Sequence, residues 1–371
     1  MRIGFVGGGT GGHFYPLIAV AEKISTHPEQ PELYYFGPSP YDQDALAPHS
    51  IKYVYCPAGK VRRYASVHNF FDLIKIFIGI FVAIVKLYII YPDVIFSKGG
   101  YTSVPILLAA RFLRIPVVIH ESDVTPGKAN TLAKSFARYI AISWPETAEY
   151  FPKEKTALTG IPIRSALSAK HADPLGQLGI PNDAPLIYVT GGSTGAERIN
   201  NLILRSLGEL LPYVRIFHQA GAVNEETVKK TARELLSDKP ELLSRYYVVG
   251  NTDAQTVSLA LQAASLAVTR AGSTTLFEIA LHNTPAIIIP IPEEISHDQR
   301  TNAYAYARNG AALVMEEHNL TEHLLQSELL SMLEDTARYQ AMQQATTQIH
   351  HQDAAQNIAN ILISIGHEHG S

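Results

Sequence analysis

The chain has 371 residues, of which 46% are hydrophobic and 17% charged, with a formal net charge of -4. This length accommodates two domains of about 150 to 200 residues, the composition is that of an ordinary globular protein, and the negative balance excludes a charge-based case for nucleic acid as a partner. The single cysteine, Cys56, excludes an internal disulfide and reads, in the strand-like run Lys52-Tyr53-Val54-Tyr55-Cys56, as a buried structural thiol.

The opening run Met1-Arg2-Ile3-Gly4-Phe5-Val6 leads directly into glycines, without the basic head, apolar middle and cleavage site of a signal peptide, and predicts a cytoplasmic protein. Short apolar, β-branched runs predict strands at 3–6, 33–36, 94–97, 117–120 and 139–143, and again at 186–190, 214–218, 246–249, 266–269 and 286–290. Helix-length amphipathic segments separate most of them. Each half is therefore expected to be an open parallel sheet covered by helices, an α/β protein of two similar halves. Between 161 and 185, Pro162, Pro174, Gly176, Gly179, Pro181 and Pro185 interrupt any period and predict the interdomain linker. After 290 the chain is expected to be mostly helical, closing on a helix over 352–365 with the tail 367–371 frayed.

The segment 70–91 is nearly all apolar and as a helix would extend about 33 Å, enough to cross a bilayer. Asp72, Lys75 and Lys86 lie within it. Each lysine is unfavourable by roughly 2.5 to 3.5 kcal/mol near a bilayer centre, so the segment predicts a partly exposed domain helix instead. With Lys60, Arg62 and Arg63 on its flank, apolar surface and positive charge coincide, as on a protein that rests on anionic lipid. Arg62, Arg63, Lys75, Ile76, Phe77, Phe81 and Lys86 form the candidate membrane face. A helix wedged in the core is the other reading of the same pattern.

Three glycine-rich loops follow predicted strands. Gly7-Gly8-Gly9-Thr10-Gly11-Gly12-His13 precedes a helix expected to begin near Pro16 and has the G-x-G-x-x-G spacing. A dinucleotide site would need an acidic residue at the end of the second strand, where Tyr34-Tyr35-Phe36-Gly37-Pro38-Ser39 has none. The Gly-Lys-Ser/Thr ending of a nucleotide triphosphate loop is also missing. Gly191-Gly192-Ser193-Thr194-Gly195-Ala196 holds the matching place in the second half. Arg270-Ala271-Gly272-Ser273-Thr274-Thr275 opens a further helix, with Ser273 as the expected N-cap and Glu278 one turn in. Tight-turn packing explains any one of the three. Together, at equivalent strand ends, they predict a site in a cleft between two sheets.

These loops, with Gly99-Gly100-Tyr101, His120-Glu121, Gly127 and Asn130, Thr159-Gly160-Ile161-Pro162-Ile163-Arg164 and Glu278-Ile279-Ala280, resemble the MurG family over nearly the whole chain. Its members are inverting transferases that move N-acetylglucosamine from UDP-N-acetylglucosamine to the 4-hydroxyl of the lipid-linked muramyl pentapeptide of peptidoglycan synthesis. The resemblance implies a GT-B fold, two Rossmann-like domains whose parallel sheets face a central cleft. Residues 1–163 would bind the acceptor and face the membrane, joined by a C-terminal helix at about 350–371, and residues 164–349 would bind the UDP-sugar. It implies as partners UDP-N-acetylglucosamine, the lipid-linked muramyl peptide, an anionic membrane surface at the cytoplasmic face, and further cell-wall synthesis proteins, with no cofactor.

By the same resemblance Glu278 binds the ribose, Ser193 and Arg164 contact the diphosphate, and Ser273, Thr274 and Thr275 open the helix near the phosphates. Thr10, Gly11 and Gly12 contact the donor from the first domain, and Asn130 and Gln299 complete the substrate-binding set. Two departures stand out. His120-Glu121-Ser122-Asp123 replaces the family's common His-Glu-Gln-Asn, so a carboxylate stands where an amide is usual, and Asp298-Gln299 replaces a Gln-Gln pair. A related UDP-sugar glycosyltransferase with another lipid or natural-product acceptor, a UDP-N-acetylglucosamine epimerase, and a non-catalytic nucleotide-sugar or dinucleotide-binding module are the alternatives.

An acceptor alcohol attacking an anomeric carbon must lose a proton, and His13 is the leading candidate for the base, with Asp123 and Glu121 behind it. A histidine that orders the turn is the bland alternative. Arg164 and the helix start at 273–275 could stabilise the charge on departing UDP without a metal, and no acidic pair has convincing metal-ligand spacing.

Overall fold

The computed structural model describes residues 1–59, 67–192, 195–294, 297–349 and 353–370. Lys60, Arg62, Arg63 and Ser193, all singled out by the sequence, lie outside them. The chain divides into two compact units, Met1–Ser165 with His351–Ser371, and Ala166–His350.

The first unit runs β1 (Arg2–Val6), α1 (Gly11–Ser25), β2 (Glu32–Gly37), β3 (Lys52–Tyr55), α2 (Val67–Ile90), β4 (Val94–Ser97), α3 (Val104–Phe112), β5 (Val117–Glu121), α4 (Lys128–Ala133), β6 (Tyr139–Ile142) and β7 (Thr156–Leu158). The strands form one parallel sheet in the order β3-β2-β1-β4-β5-β6-β7. Alternate side chains of β1 feed opposite faces, as the pleat requires. Ile3 and Phe5 pack with Phe14, Leu17 and Ile24 of α1, while Val6 packs with Leu87 of α2 and Ile106 and Leu107 of α3.

After α5 (Ser165–Ser168), which begins at the boundary, the second unit runs α6 (Pro174–Gln177), β8 (Leu186–Thr190), α7 (Glu197–Leu210), β9 (Arg215–Gln219), α8 (Glu225–Leu235), β10 (Tyr246–Val249), α9 (Ala254–Ala263), β11 (Ala264–Thr269), α10 (Ser273–Leu281), β12 (Ala286–Ile288), α11 (His297–Arg308), β13 (Ala312–Val314), α12 (Glu322–Glu334) and α13 (Thr336–Thr346). Its sheet is also parallel, ordered β10-β9-β8-β11-β12-β13. Ile187 and Val189 of β8 pack against Ile199, Ile203 and Leu207 of α7 and Leu325 and Leu329 of α12.

The last helix, α14 (Ala354–Gly370), belongs to the first unit, where Ile358, Ala359 and Leu362 join the core beside α1. It corrects the expectation of a frayed tail. Glu368 pairs with Arg138 at 3.0 Å, His367 with Glu29 at 3.0 Å, and the His369 ring stacks on Tyr91, so residues 367–369 have partners, while Ser371 lies outside the described residues. A second correction concerns α1, which starts at Gly11, five residues before Pro16. Pro16 sits inside it, and a proline near a helix start loses only one intrahelical bond. β13 also interrupts a stretch expected to be mostly helical.

α2 divides lengthwise. Ala83 and Leu87 are buried, whereas Phe77 is 71% and Phe81 69% exposed, with Ile74, Ile78, Val85, Tyr88 and Ile89 also open. At 3.6 residues per turn these exposed residues cover roughly a third of the helix circumference. Lys75 and Lys86 are exposed and Ile76 is half-buried. Among the described residues no helix is long and apolar enough to cross a membrane. Cys56 is fully buried and its thiol is pushed up to about 11 by that burial.

Candidate active site

In each sheet the strand order reverses between the first and fourth strands of the unit, β1 and β4 in one and β8 and β11 in the other. Loops leaving the carboxyl ends of the strands splay apart at such a switch point and leave a crevice for a ligand. The glycine loops singled out in the sequence lie at these two places.

In the first unit Thr10 is the N-cap of α1, in extended conformation, but its hydroxyl does not cap a helix N–H. It pairs with Nδ1 of His13 at 2.8 Å. The backbone N–H groups of His13 and Phe14 both donate to Thr10 O at 3.2 Å, closing the first turn. Gly100, at φ +82, lies over this turn, and a Cβ there would come within 3.1 Å of Gly8 O and 3.7 Å of the His13 ring. Burial, and then the positive charge of Lys98, hold the His13 imidazole below its ordinary value, while Asp123 opposes them. His13 is therefore a neutral imidazole at pH 7, able to accept a proton.

The β5 end supplies the carboxyl groups. Glu121 is buried; its Oε2 accepts from Gly127 N at 3.0 Å and Asn130 Nδ2 at 2.9 Å, and its Oε1 from Asp123 N at 3.1 Å. Burial and then the Asp123 charge raise its pKa, against these hydrogen bonds. Asn130, itself buried, also donates to His120 O at 3.0 Å, so it holds Glu121 in place from α4. Arg164 stacks its guanidinium over the Tyr15 ring at 3.8 Å, and its Nε is buried with no partner among the described residues. The Tyr15 platform was not legible in the sequence, where the helix was expected to begin only near Pro16. Nor was Lys98, which follows β4 and is buried at 2% exposure.

In the second unit a Cβ on Gly191 would collide with the Ala196 backbone, so the turn after β8 needs glycine there, and Gly192 stands at φ +84. Gly192 N donates to Thr190 Oγ1 at 3.0 Å, and Tyr188 Oη donates to Gln219 Oε1 at 2.8 Å. After β11, the N-cap of α10 is Gly272, which corrects the assignment to Ser273. Gly272 has the extended conformation a cap requires and Ser273 is already the first helical residue. The cap residue itself carries no side chain, and the first turn holds the positive end of the helix dipole, which suits an anion. Thr274 and Thr275 lie half-buried in this turn and Ser273 is buried. Glu278 follows on the same helix, and its charge, after burial, raises the Tyr188 phenol. Gln299 Oε1 accepts from Ala271 N at 3.3 Å and Ile291 N at 3.4 Å, tying α11 to the loop. Arg270 donates to Ile289 O, Pro290 O and Glu317, an internal brace.

Residues 3–142 match the glycosyltransferase family 28 N-terminal domain, and residues 186–358 match the glycosyltransferase family 28 C-terminal domain. With two parallel sheets, each carrying a glycine-lined loop at its switch point, the chain is a two-domain glycosyltransferase of the GT-B architecture. It is 36% identical over 341 residues to the UDP-N-acetylglucosamine--N-acetylmuramyl-(pentapeptide) pyrophosphoryl-undecaprenol N-acetylglucosamine transferase of Shouchella clausii, covering 91% of this chain and 92% of the relative. To the protein of the same description in Treponema denticola it is 35% identical, covering 84% and 83%. The crystal structure of Acinetobacter baumannii MurG is similar in fold, with a TM-score of 0.73 at 24% identity over 98% of this chain and 100% of that one. This chain belongs to the MurG family within glycosyltransferase family 28.

Proposed function

We propose that the chain transfers N-acetylglucosamine from UDP-N-acetylglucosamine to the 4-hydroxyl of a lipid-linked N-acetylmuramyl pentapeptide, as a peripheral protein on the cytoplasmic face of the membrane. The observation that carries this reading is that both halves match transferases of that description and that each half has a loop set suited to one part of the reaction.

In the first unit, with His13 Nδ1–H donating to Thr10 Oγ1, Nε2 presents its lone pair. It takes the proton of the acceptor hydroxyl as the oxygen forms its bond to the anomeric carbon. The bond from that carbon to the β-phosphate oxygen breaks, its electron pair leaves with UDP, and the sugar inverts. Asp123 accepts from sugar or acceptor hydroxyls, and Glu121 orders the loop that carries it. Thr10, Gly11 and Gly12 offer backbone contacts to the donor, and Arg164, preorganised on Tyr15, meets the diphosphate charge. In the second unit the first turn of α10 receives the diphosphate, Glu278 binds the ribose hydroxyls, and Gln299 orders the loop after β11.

The exposed stripe of α2, with Phe77, Phe81 and the flanking Lys75 and Lys86, is the surface that rests on anionic lipid. Each large apolar side chain fully withdrawn from water contributes about 1.5 to 3 kcal/mol, and lysines near an anionic surface add about 1 kcal/mol each.

The test is transfer of labelled N-acetylglucosamine from UDP-N-acetylglucosamine to a short-chain lipid-linked muramyl peptide, with UDP-glucose and UDP-galactose as competitors. A disaccharide product that requires the acceptor is expected. Donor converted to an epimer without acceptor, or no donor consumed at all, would overturn the reading.

A further inference from the structure

The loops after β4 and β5 meet in a buried cluster of charge that the transfer reaction as described leaves partly unused. Lys98 is enclosed, and the one residue separating its strand end from Gly99 and Gly100. Its Nζ donates to His120 Nδ1 at 2.7 Å and to Ser122 Oγ. His120 Nε2 in turn donates to Gly160 O at 2.8 Å, which fixes the ring as the neutral tautomer with its Nδ1 lone pair toward the lysine. Lys98 thus grips the residues on either side of Glu121. An ammonium has three N–H bonds, and these two acceptors leave one without a partner among the described residues.

A buried charge is costly unless another charge meets it. The groups that act on Lys98 by charge are Glu121 and Asp123. The groups that act on His13 by charge are Lys98 and Asp123, with the Thr10 hydroxyl on its Nδ1 and the Gly100 backbone beside its ring. Asp123 is the residue at which this chain places a carboxylate where the resemblance leads one to expect an amide, and Lys98 is the positive charge that answers it.

We infer that Lys98 is a positioning residue of the acceptor half of the site, the counter-charge matched to the Asp123 and Glu121 carboxyl pair and the tie that holds their loop through His120 and Ser122. The inference rests on the proposed transferase reading in taking His13 as the base. Two consequences follow. Lys98 keeps protons off His13, so losing its charge raises the His13 pKa; losing the Asp123 charge lowers it. Removing both restores a near-neutral balance.

The test uses full-length Lys98→Met, Asp123→Asn and the double variant, with two readouts, histidine ring resonances followed by NMR against pH and kcat/KM for transfer against pH. Lys98→Met is expected to move the His13 titration and the acid limb of kcat/KM up by about one pH unit. Asp123→Asn moves both down, and the double variant returns them to within about half a unit of the parent. In kcat/KM the two substitutions are expected to be coupled by at least about tenfold. Unmoved His13 titration in the single variants, or kcat/KM losses that simply multiply, would overturn the inference, since a merely structural lysine would lower the melting temperature and leave both unchanged. If Lys98→Met does not fold, folding of the double variant supports the charge match, and Asp123→Asn with an unmoved His13 overturns it. If the parent protein transfers no sugar, the transferase reading falls, while the NMR titration still decides the role of Lys98.

Discussion

The two switch points of this molecule are built from the same topology and carry different side chains. At the end of β1, β4 and β5 the first unit gathers His13, Lys98, His120 and Glu121, groups whose protonation is displaced by burial and by neighbouring charges, the Asp123 carboxylate among them. At the end of β8 and β11 the second unit offers glycine turns and a helix start whose N-cap is Gly272, and a buried cation there, Arg270, is committed to Glu317 and two carbonyls. On the proposed reading, one end moves a proton and the other holds an anion. The difference teaches that a repeated fold divides a transfer reaction by the residues at its strand ends, since the backbone plan is common to both.

The sharpest way to break this comparison is to remove the proposed base. His13→Ala is expected to lower kcat by about 10²- to 10⁴-fold, with the dissociation constant for UDP-N-acetylglucosamine unchanged by calorimetry. Glu278→Ala should do the reverse, weakening donor binding by about 10- to 100-fold, the loss of charge-assisted hydrogen bonds to the ribose, while the pH dependence of the rate stays where it was. Equal donor affinity in Glu278→Ala would undo the ribose assignment. On the membrane side, Phe77→Ser with Phe81→Ser should reduce binding to vesicles containing anionic lipid by at least about tenfold, with transfer to a water-soluble acceptor unaltered; unchanged sedimentation with vesicles would count against that face.

The smallest expected effect is on stability. His218 is buried in β9 between Tyr246 Oη at 2.7 Å and Asn200 Oδ1 at 3.0 Å, and burial pushes it down to about 3. Its unfolded value is about 6.5, so between these limits the unfolded chain binds a proton that the native unit does not. The stability this site contributes is complete above about pH 6.5 and is lost as pH falls, by about 1.4 kcal/mol per pH unit. Hydrogen exchange of the β9 amides at pH 7 and pH 5 should show that slope, and His218→Gln should flatten it by one proton's worth.

Much of the fold is readable because the inner strands are continuous apolar runs. β4, for example, is wholly buried, and nothing in Val94-Ile95-Phe96-Ser97 competes with that reading. β7 and β13 were missed for the opposite reason: each is a three-residue edge strand, with no fully buried position, that pairs on one side only. The glycine loops and His13 were legible because glycine marks close backbone approach wherever it occurs in series. Lys98 was not. A lysine after a strand reads as solvent-facing, and only the pairing of β4 with β5 brings it against His120 and Ser122. Likewise Arg164 carried a motif, while the ring beneath it, Tyr15, is remote in sequence and joins it through the fold alone.

The division of labour between the two strand-end sites is tested most directly by measuring donor binding and transfer on one protein preparation from pH 5 to pH 8. The sugar nucleotide is a diphosphate diester and does not titrate in this range, so a binding site without groups that titrate near neutrality should hold it with constant affinity. Transfer should fall along an acid limb whose midpoint lies below 6.5, the direction in which burial and Lys98 displace His13. A dissociation constant that rises in step with the loss of transfer, or transfer with no acid limb at all, would contradict it.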